Sequence, residues 1–176
     1  MSIFSKSNKE EHPYKLEFSS DFSLQKAWDI YDETDECILV VKRKALKVHP
    51  TLEIYDCRKK AVVATIKDIS NQILRLNETY EIEVEGEPFD IIRYQLKQAR
   101  FISDKIGLDM ELKFLNQVFH LNGQVVAETK FKKSNKVIYF DNKKLKMYLL
   151  LIFFCYVLHE NVDYQRVERE SRHIHG

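Results

Sequence analysis

Met147-Tyr-Leu-Leu-Leu-Ile-Phe-Phe-Cys-Tyr-Val-Leu158 is a run of twelve residues without a charge, preceded by Asp141-Asn-Lys-Lys-Leu-Lys146. Asp141 and Asn142 are good N-cap residues, and helix formers follow. As a helix the run covers about 18 Å at about 1.5 Å per residue. Crossing a bilayer takes about 20 apolar residues for about 30 Å of hydrocarbon, so the run is short for a span. A helix apolar on every side must be covered on every side. Its cover is either a protein interior or, in the alternative reading, a membrane into which it inserts or re-enters.

The residues before the run supply a protein interior. Tyr14-Lys-Leu-Glu-Phe18 alternates apolar and polar, as a half-buried strand does. Trp28 to Tyr31, Cys37 to Val41, Leu52 to Tyr55, Val62 to Lys67, Tyr80 to Val84, Phe89 to Tyr94, Met110 to Phe114, Val118 to Leu121 and Val125 to Phe131 read as further strands. Between them lie turns at Asp32–Asp35, Asp56–Lys60, Glu85–Glu87 and Asn122–Gly123. Asn-Gly between alternating strands is a strong hairpin signal. Ile30-Tyr31-Asp32 returns as Ile54-Tyr55-Asp56, and Tyr80-Glu-Ile-Glu echoes the same position. Hairpins joined end to end, each burying one face, are best satisfied by a closed or nearly closed antiparallel barrel, which leaves few open edges. Only Gln95 to Ile106 stays ambiguous between strand, connection and short helix. The expected organisation is a flexible segment over 1–12, a barrel over 13–160 whose central helix occupies 142–160, and a polar tail over 161–176.

Twenty-eight basic residues against 27 acidic ones leave a net charge of +1, which argues against a nucleic-acid partner. The three cysteines, Cys37, Cys57 and Cys155, show neither a disulfide framework nor a zinc spacing. Met1 to Phe18 holds no apolar run suited to a signal core. The expected compartment is the cytoplasm, where thiols stay reduced, with or without membrane association.

Ile54-Tyr-Asp56 with Val62-Val-Ala-Thr-Ile-Lys67, and the strand-to-helix join Ile138-Tyr-Phe-Asp-Asn-Lys-Lys-Leu-Lys-Met147, resemble the LURP-one-related family over about Tyr14 to Glu160. That family belongs to the tubby C-terminal-like group, which includes the phospholipid scramblases. The resemblance implies a mostly β fold: a closed antiparallel barrel of twelve strands threaded by the hydrophobic C-terminal helix. It implies little about function: many bacterial members have no assigned role, plant members are linked to defence, and tubby domains bind phosphoinositide head groups through basic side chains. The acidic segment that scramblases carry before the helix is reduced here to Asp141 among lysines, which puts calcium dependence in doubt.

The strongest local feature is basic. Lys130, Lys132, Lys133, Lys136, Lys143, Lys144 and Lys146 lie close in sequence with Asp141 as the single acid. Ammonium groups hold phosphate oxygens as point charges, and each is worth about 1 kcal/mol near an anionic bilayer. The plainer reading is a solvated surface that keeps strand edges apart. Lys42, Arg43, Lys44 and Lys47 form a smaller cluster. Glu81, Glu83, Glu85, Glu87 and Asp90 form an acidic row that suits a cation, a basic partner or simply the wet face of a strand. Of the histidines, only His173 and His175 are spaced like ligands, too few for a metal site, and His120 reads as structural or exposed. Cys155 reads as inert packing, whereas Cys57, in a turn beside Arg58 and Lys59, has a modest claim to reactivity. No nucleophile elbow, phosphate-binding glycine loop or His-Glu-x-x-His is present. The expectation is a non-enzymatic module without a cofactor, binding anionic phospholipid head groups or a membrane surface. Its alternative is a protein-interaction or structural module without a small ligand, and an enzyme would need a polar site in the barrel mouth.

Overall fold

The computed structural model describes residues 13–18, 27–44, 49–70, 77–133 and 135–174, with side chains as far as 160 apart from residue 77. The segment 1–12 and the side chains of 161–176 lie outside the described residues. Twelve strands follow one another: β1 (Tyr14–Phe18), β2 (Ala27–Tyr31), β3 (Cys37–Lys44), β4 (Thr51–Asp56), β5 (Ala61–Asp68), β6 (Asn77–Val84), β7 (Glu87–Gln95), β8 (Arg100–Ser103), β9 (Leu108–Leu112), β10 (Gln117–Leu121), β11 (Gln124–Lys132) and β12 (Asn135–Phe140). Each pairs antiparallel with its sequence neighbours. β1 pairs with both β2 and β12, so the sheet closes into a barrel, with Leu16 opposite Ile138 and Phe18 opposite Lys136. The expected barrel is the observed one.

Local chemistry explains the hairpins. Asn122 and Gly123 have φ of +51° and +82°, and Glu85 and Gly86 have +52° and +84°. Two successive left-handed residues are what a type I′ turn requires, and that turn matches the twist of the strands it joins. The ambiguous stretch from Gln95 resolves into a 3₁₀ turn at Leu96–Gln98 and the strand β8. One strand boundary differs from expectation: β9 ends at Leu112, and Phe114 sits in the following turn with 98% of its surface exposed. Lys113 N–H donates to the Asn116 carbonyl at 2.9 Å, closing that turn on itself.

The helix α1 (Lys146–Ile174) follows a 3₁₀ turn at Lys143–Leu145. Asn142 supplies the cap, its Oδ1 accepting from the Lys144 N–H at 3.0 Å. Leu149 to Cys155 are each at most 2% exposed, whatever direction they face around the axis. The barrel interior surrounds them: Phe153 lies 4.8 Å from Phe18, and Phe154 lies 5.6 Å from Trp28, ring centre to ring centre. The helix does not end at 160 but keeps its backbone form to Ile174. Residues 161–174 contain neither glycine nor proline, so nothing local terminates it. Among the described residues no helix is long and apolar enough to cross a membrane.

The threading gives the barrel two distinct ends. At the proximal end, beyond Phe140, α1 begins. At the distal end, beside Asn135, α1 emerges past Leu158.

Candidate functional site: the distal rim and mouth

The seven lysines of the basic stretch do not form one patch. Lys130, Lys132, Lys133 and Lys136 lie at the distal end, where β11 turns into β12. Lys143, Lys144 and Lys146 lie at the proximal end, where the helix starts. The length of β12 between them amounts to roughly 20 Å at about 3.3 Å per residue. At the proximal end Lys143 Nζ stands 3.9 Å from Glu33, Lys144 is exposed and Lys146 is half-buried. At the distal end Lys130 pairs with Glu128 at 2.6 Å, whereas Lys132 and Lys133 are exposed.

Lys136 stands apart from the other six. It alternates in phase with Ile138 and Phe140, so β12 directs it into the barrel, where it is 6% exposed. Its Nζ faces the rings of Phe131, Tyr156 and Phe153, at 5.3, 5.4 and 5.8 Å from the ring centres. Three aromatic faces attract a cation, but they replace water poorly. Burial pushes the Lys136 pKa down to about 8, against the opposing pull of Glu160. The same surroundings push the Tyr156 hydroxyl up to about 12, again by burial.

Across the mouth a second polar group is buried. Glu78, in phase with the inward Tyr80 and Ile82, accepts from the Tyr80 hydroxyl at 2.5 Å and lies 2.6 Å from His159 Nδ1. His159 also stacks on Tyr94, 4.5 Å between ring centres. The helix end is thereby tied to β6 and β7. Burial, first, and the adjacent Glu78 carboxylate raise the Tyr80 pKa far above its ordinary value, so this hydroxyl remains a donor. Glu78→Ala removes the acceptor from both partners and is expected to cost about 2 kcal/mol or more in urea unfolding. Sequence reading missed this group, although an acid in step with inward Tyr80 and Ile82 was its signal.

The rim above this mouth is amphipathic. Three distal turns are described: Leu96 and Lys97 stand in the first, Lys113, Phe114 and Leu115 in the second, and Phe131, Lys132 and Lys133 at the third. Leu96 is 56% exposed, Leu115 64% and Phe131 60%. None of these turns holds an acidic residue. The proximal turns instead mix signs, with Asp32, Glu33, Asp35 and Glu36 in one and Arg58, Lys59 and Lys60 in another. The distal connections 19–26, 45–48 and 71–76 lie outside the described residues.

The remaining sequence candidates scatter. Lys42 covers the Tyr55 ring at 4.9 Å, Lys44 pairs with Glu53, Arg43 is half-buried with its pKa lowered by burial, and Lys47 lies outside the described residues. Within the acidic row, Glu85 meets Lys59 at 3.3 Å. Asp90 leaves the row to accept from Ser103 Oγ at 2.6 Å and from the Lys105 N–H at 3.1 Å. His120 pairs with Asp109 at 3.2 Å. Among the described residues no group of three His, Cys, Asp or Glu side chains is arranged to hold a metal ion.

No protein-family model matches the chain, and no curated protein matches it. Among solved structures, the X-ray structure of the Arabidopsis thaliana protein AT5G01750 is similar, with a TM-score of 0.56, 13% identity, and coverage of 83% of this chain and 93% of that one. At that identity the likeness concerns the fold alone, which in this chain is the closed twelve-stranded barrel with its C-terminal helix.

Proposed function

We propose that this chain is a LURP-one-related barrel of the tubby C-terminal-like group, and that it acts as a non-enzymatic module docking on anionic phospholipid surfaces through its distal rim. The observation that carries the reading is the composition of the three described distal turns, where exposed Leu96, Phe114, Leu115 and Phe131 alternate with Lys97, Lys113, Lys132 and Lys133 and no acid stands within the turns themselves, Glu111 at the end of β9 lying 3.9 Å from Lys113. Apolar side chains at turn tips enter the head-group boundary, and the lysines beside them meet lipid phosphates. Four lysines at about 1 kcal/mol each suffice for reversible attachment. The site is thus smaller than the basic stretch and differently drawn. Lys132 and Lys133 belong to it, Lys97 and Lys113 join it, and Lys143, Lys144 and Lys146 face the other way. Lys136 lies behind Phe131, a charge held beneath the rim.

Vesicle co-sedimentation tests this reading. Vesicles containing phosphatidylserine or phosphoinositide should retain the protein, and pure phosphatidylcholine should not. Lys132→Gln with Lys133→Gln should weaken retention about 30-fold, as the loss of about 2 kcal/mol implies. Lys143→Gln with Lys144→Gln should leave it unchanged. Equal loss from both pairs, or equal retention by neutral vesicles, would exclude the distal rim as the docking surface.

A further inference from the structure

Two of the three cysteines meet. Cys37 opens β3, and Cys57 lies in the turn after β4, twenty residues on. Their sulfurs are 3.7 Å apart at the proximal end, and both residues are half-exposed. The backbone fixes the approach, because the Cys57 N–H donates to the carbonyl of Ile38, the neighbour of Cys37, at 3.0 Å. Main chains joined in this way run about 5 Å apart, a spacing that a disulfide bridges. The third cysteine, Cys155, is fully buried in α1 at 0% exposure.

We propose that Cys37 and Cys57 form an oxidisable dithiol, a modification site at which a peroxide closes a disulfide between the start of β3 and the β4–β5 turn. This goes beyond the lipid reading and does not depend on it. In the first step a cysteine sulfur attacks the peroxide oxygen, the O–O bond breaks, and a sulfenic acid and water form. In the second the neighbouring sulfur attacks that sulfenic sulfur, an S–S bond forms, and a second water leaves. Two electrons pass from the sulfurs to the peroxide, and the two thiol protons end in the waters. Burial, first, and the hydrogen bond shared with Cys57 push the Cys37 pKa up to about 11, and either sulfur can open the sequence, since both residues are half-exposed.

Arg58, next to Cys57, reaches across to Glu36, next to Cys37, at 2.7 Å. That exposed ion pair spans the same two turns as the sulfurs. The closed loop of some twenty residues is expected to raise the melting temperature by roughly 5–10 °C.

The test uses the full chain treated with hydrogen peroxide, then denatured, alkylated and weighed. The expected product is monomeric, carries a single alkyl group, at Cys155, and apart from that group is lighter than the untreated chain by about 2 Da for the two hydrogens lost. Peptide mapping should recover Cys37 joined to Cys57. Cys155→Ser should leave the reaction intact, and Cys57→Ser should abolish it. Three surviving thiols, oxygen addition without hydrogen loss, a bond to Cys155, or a disulfide-linked dimer would each overturn the proposal.

Discussion

Phe154→Asp is expected to prevent folding, and Phe154→Ala to cost about 3–5 kcal/mol. Phe154 is 0% exposed, and its ring lies 5.6 Å from Trp28, 5.7 Å from Phe18 and 5.8 Å from Phe153. Truncation removes the ring from all three neighbours and leaves a void that a closed barrel relaxes into poorly. A domain of this kind has about 5–15 kcal/mol in total, so the alanine variant loses a large share of it. The aspartate adds a charge with no partner in that apolar surround. Phe114→Ser is the matched control. Phe114 is 98% exposed at the distal rim, and its loss should move stability by less than about 0.5 kcal/mol. Urea unfolding followed by the fluorescence of Trp28, the single tryptophan, compares the three variants with the parent. An alanine variant as stable as the parent would mean that the helix does not fill the barrel.

Lys136→Met should make the protein more stable at neutral pH, by about 1–3 kcal/mol. The folded pKa of about 8 lies below the ordinary value of 10.5, so between these two pH values the unfolded chain binds more protons than the folded one. Stability contributed by this residue therefore rises with pH through that window, and the full penalty applies below it. A shift of that size corresponds to at most about 3 kcal/mol at about 1.4 kcal/mol per unit, and the ring faces of Phe131, Phe153 and Tyr156 return part of it. Methionine keeps the length of the side chain and packs well among rings. Denaturant midpoints at pH 7, 8, 9 and 10 should show the parent gaining on the variant as pH rises. A variant less stable than the parent at pH 7 would show that the charge is stabilising where it lies. A buried amine with a perturbed pKa in the barrel mouth is a candidate functional position, and on the proposed reading Lys136 lies beneath the docking rim.

The fold was legible because two signals agreed. The uncharged run from Met147 to Leu158 needed cover on all sides, and the period-two strands with Asn122-Gly123 between them offered an enclosed surface. The candidate site was legible only in part. Charge density along the chain drew seven lysines into one group, but β12 runs the length of the barrel and parts Lys132 and Lys133 from Lys143 and Lys144. Phase would have separated Lys136 from the rest, since it keeps step with Ile138 and Phe140. The rim itself needed topology. Leu96, Phe114 and Phe131 are far apart in sequence and share an end only once β7 to β12 are laid side by side. The meeting of Cys37 with Cys57 is of the same kind, set by the pairing of β3 with β4 and invisible in their spacing.

The most direct measurement of the central claim is membrane depth at labelled positions. A spin label placed in turn at Phe114, Phe131 and Val125 probes two distal tips and one exposed proximal position, the start of β11. With anionic vesicles present, labels at Phe114 and Phe131 should lose contact with aqueous relaxation agents and gain it with lipid-soluble oxygen, and the label at Val125 should remain in water. Immersion of Val125 with Phe114 left in water would contradict the account.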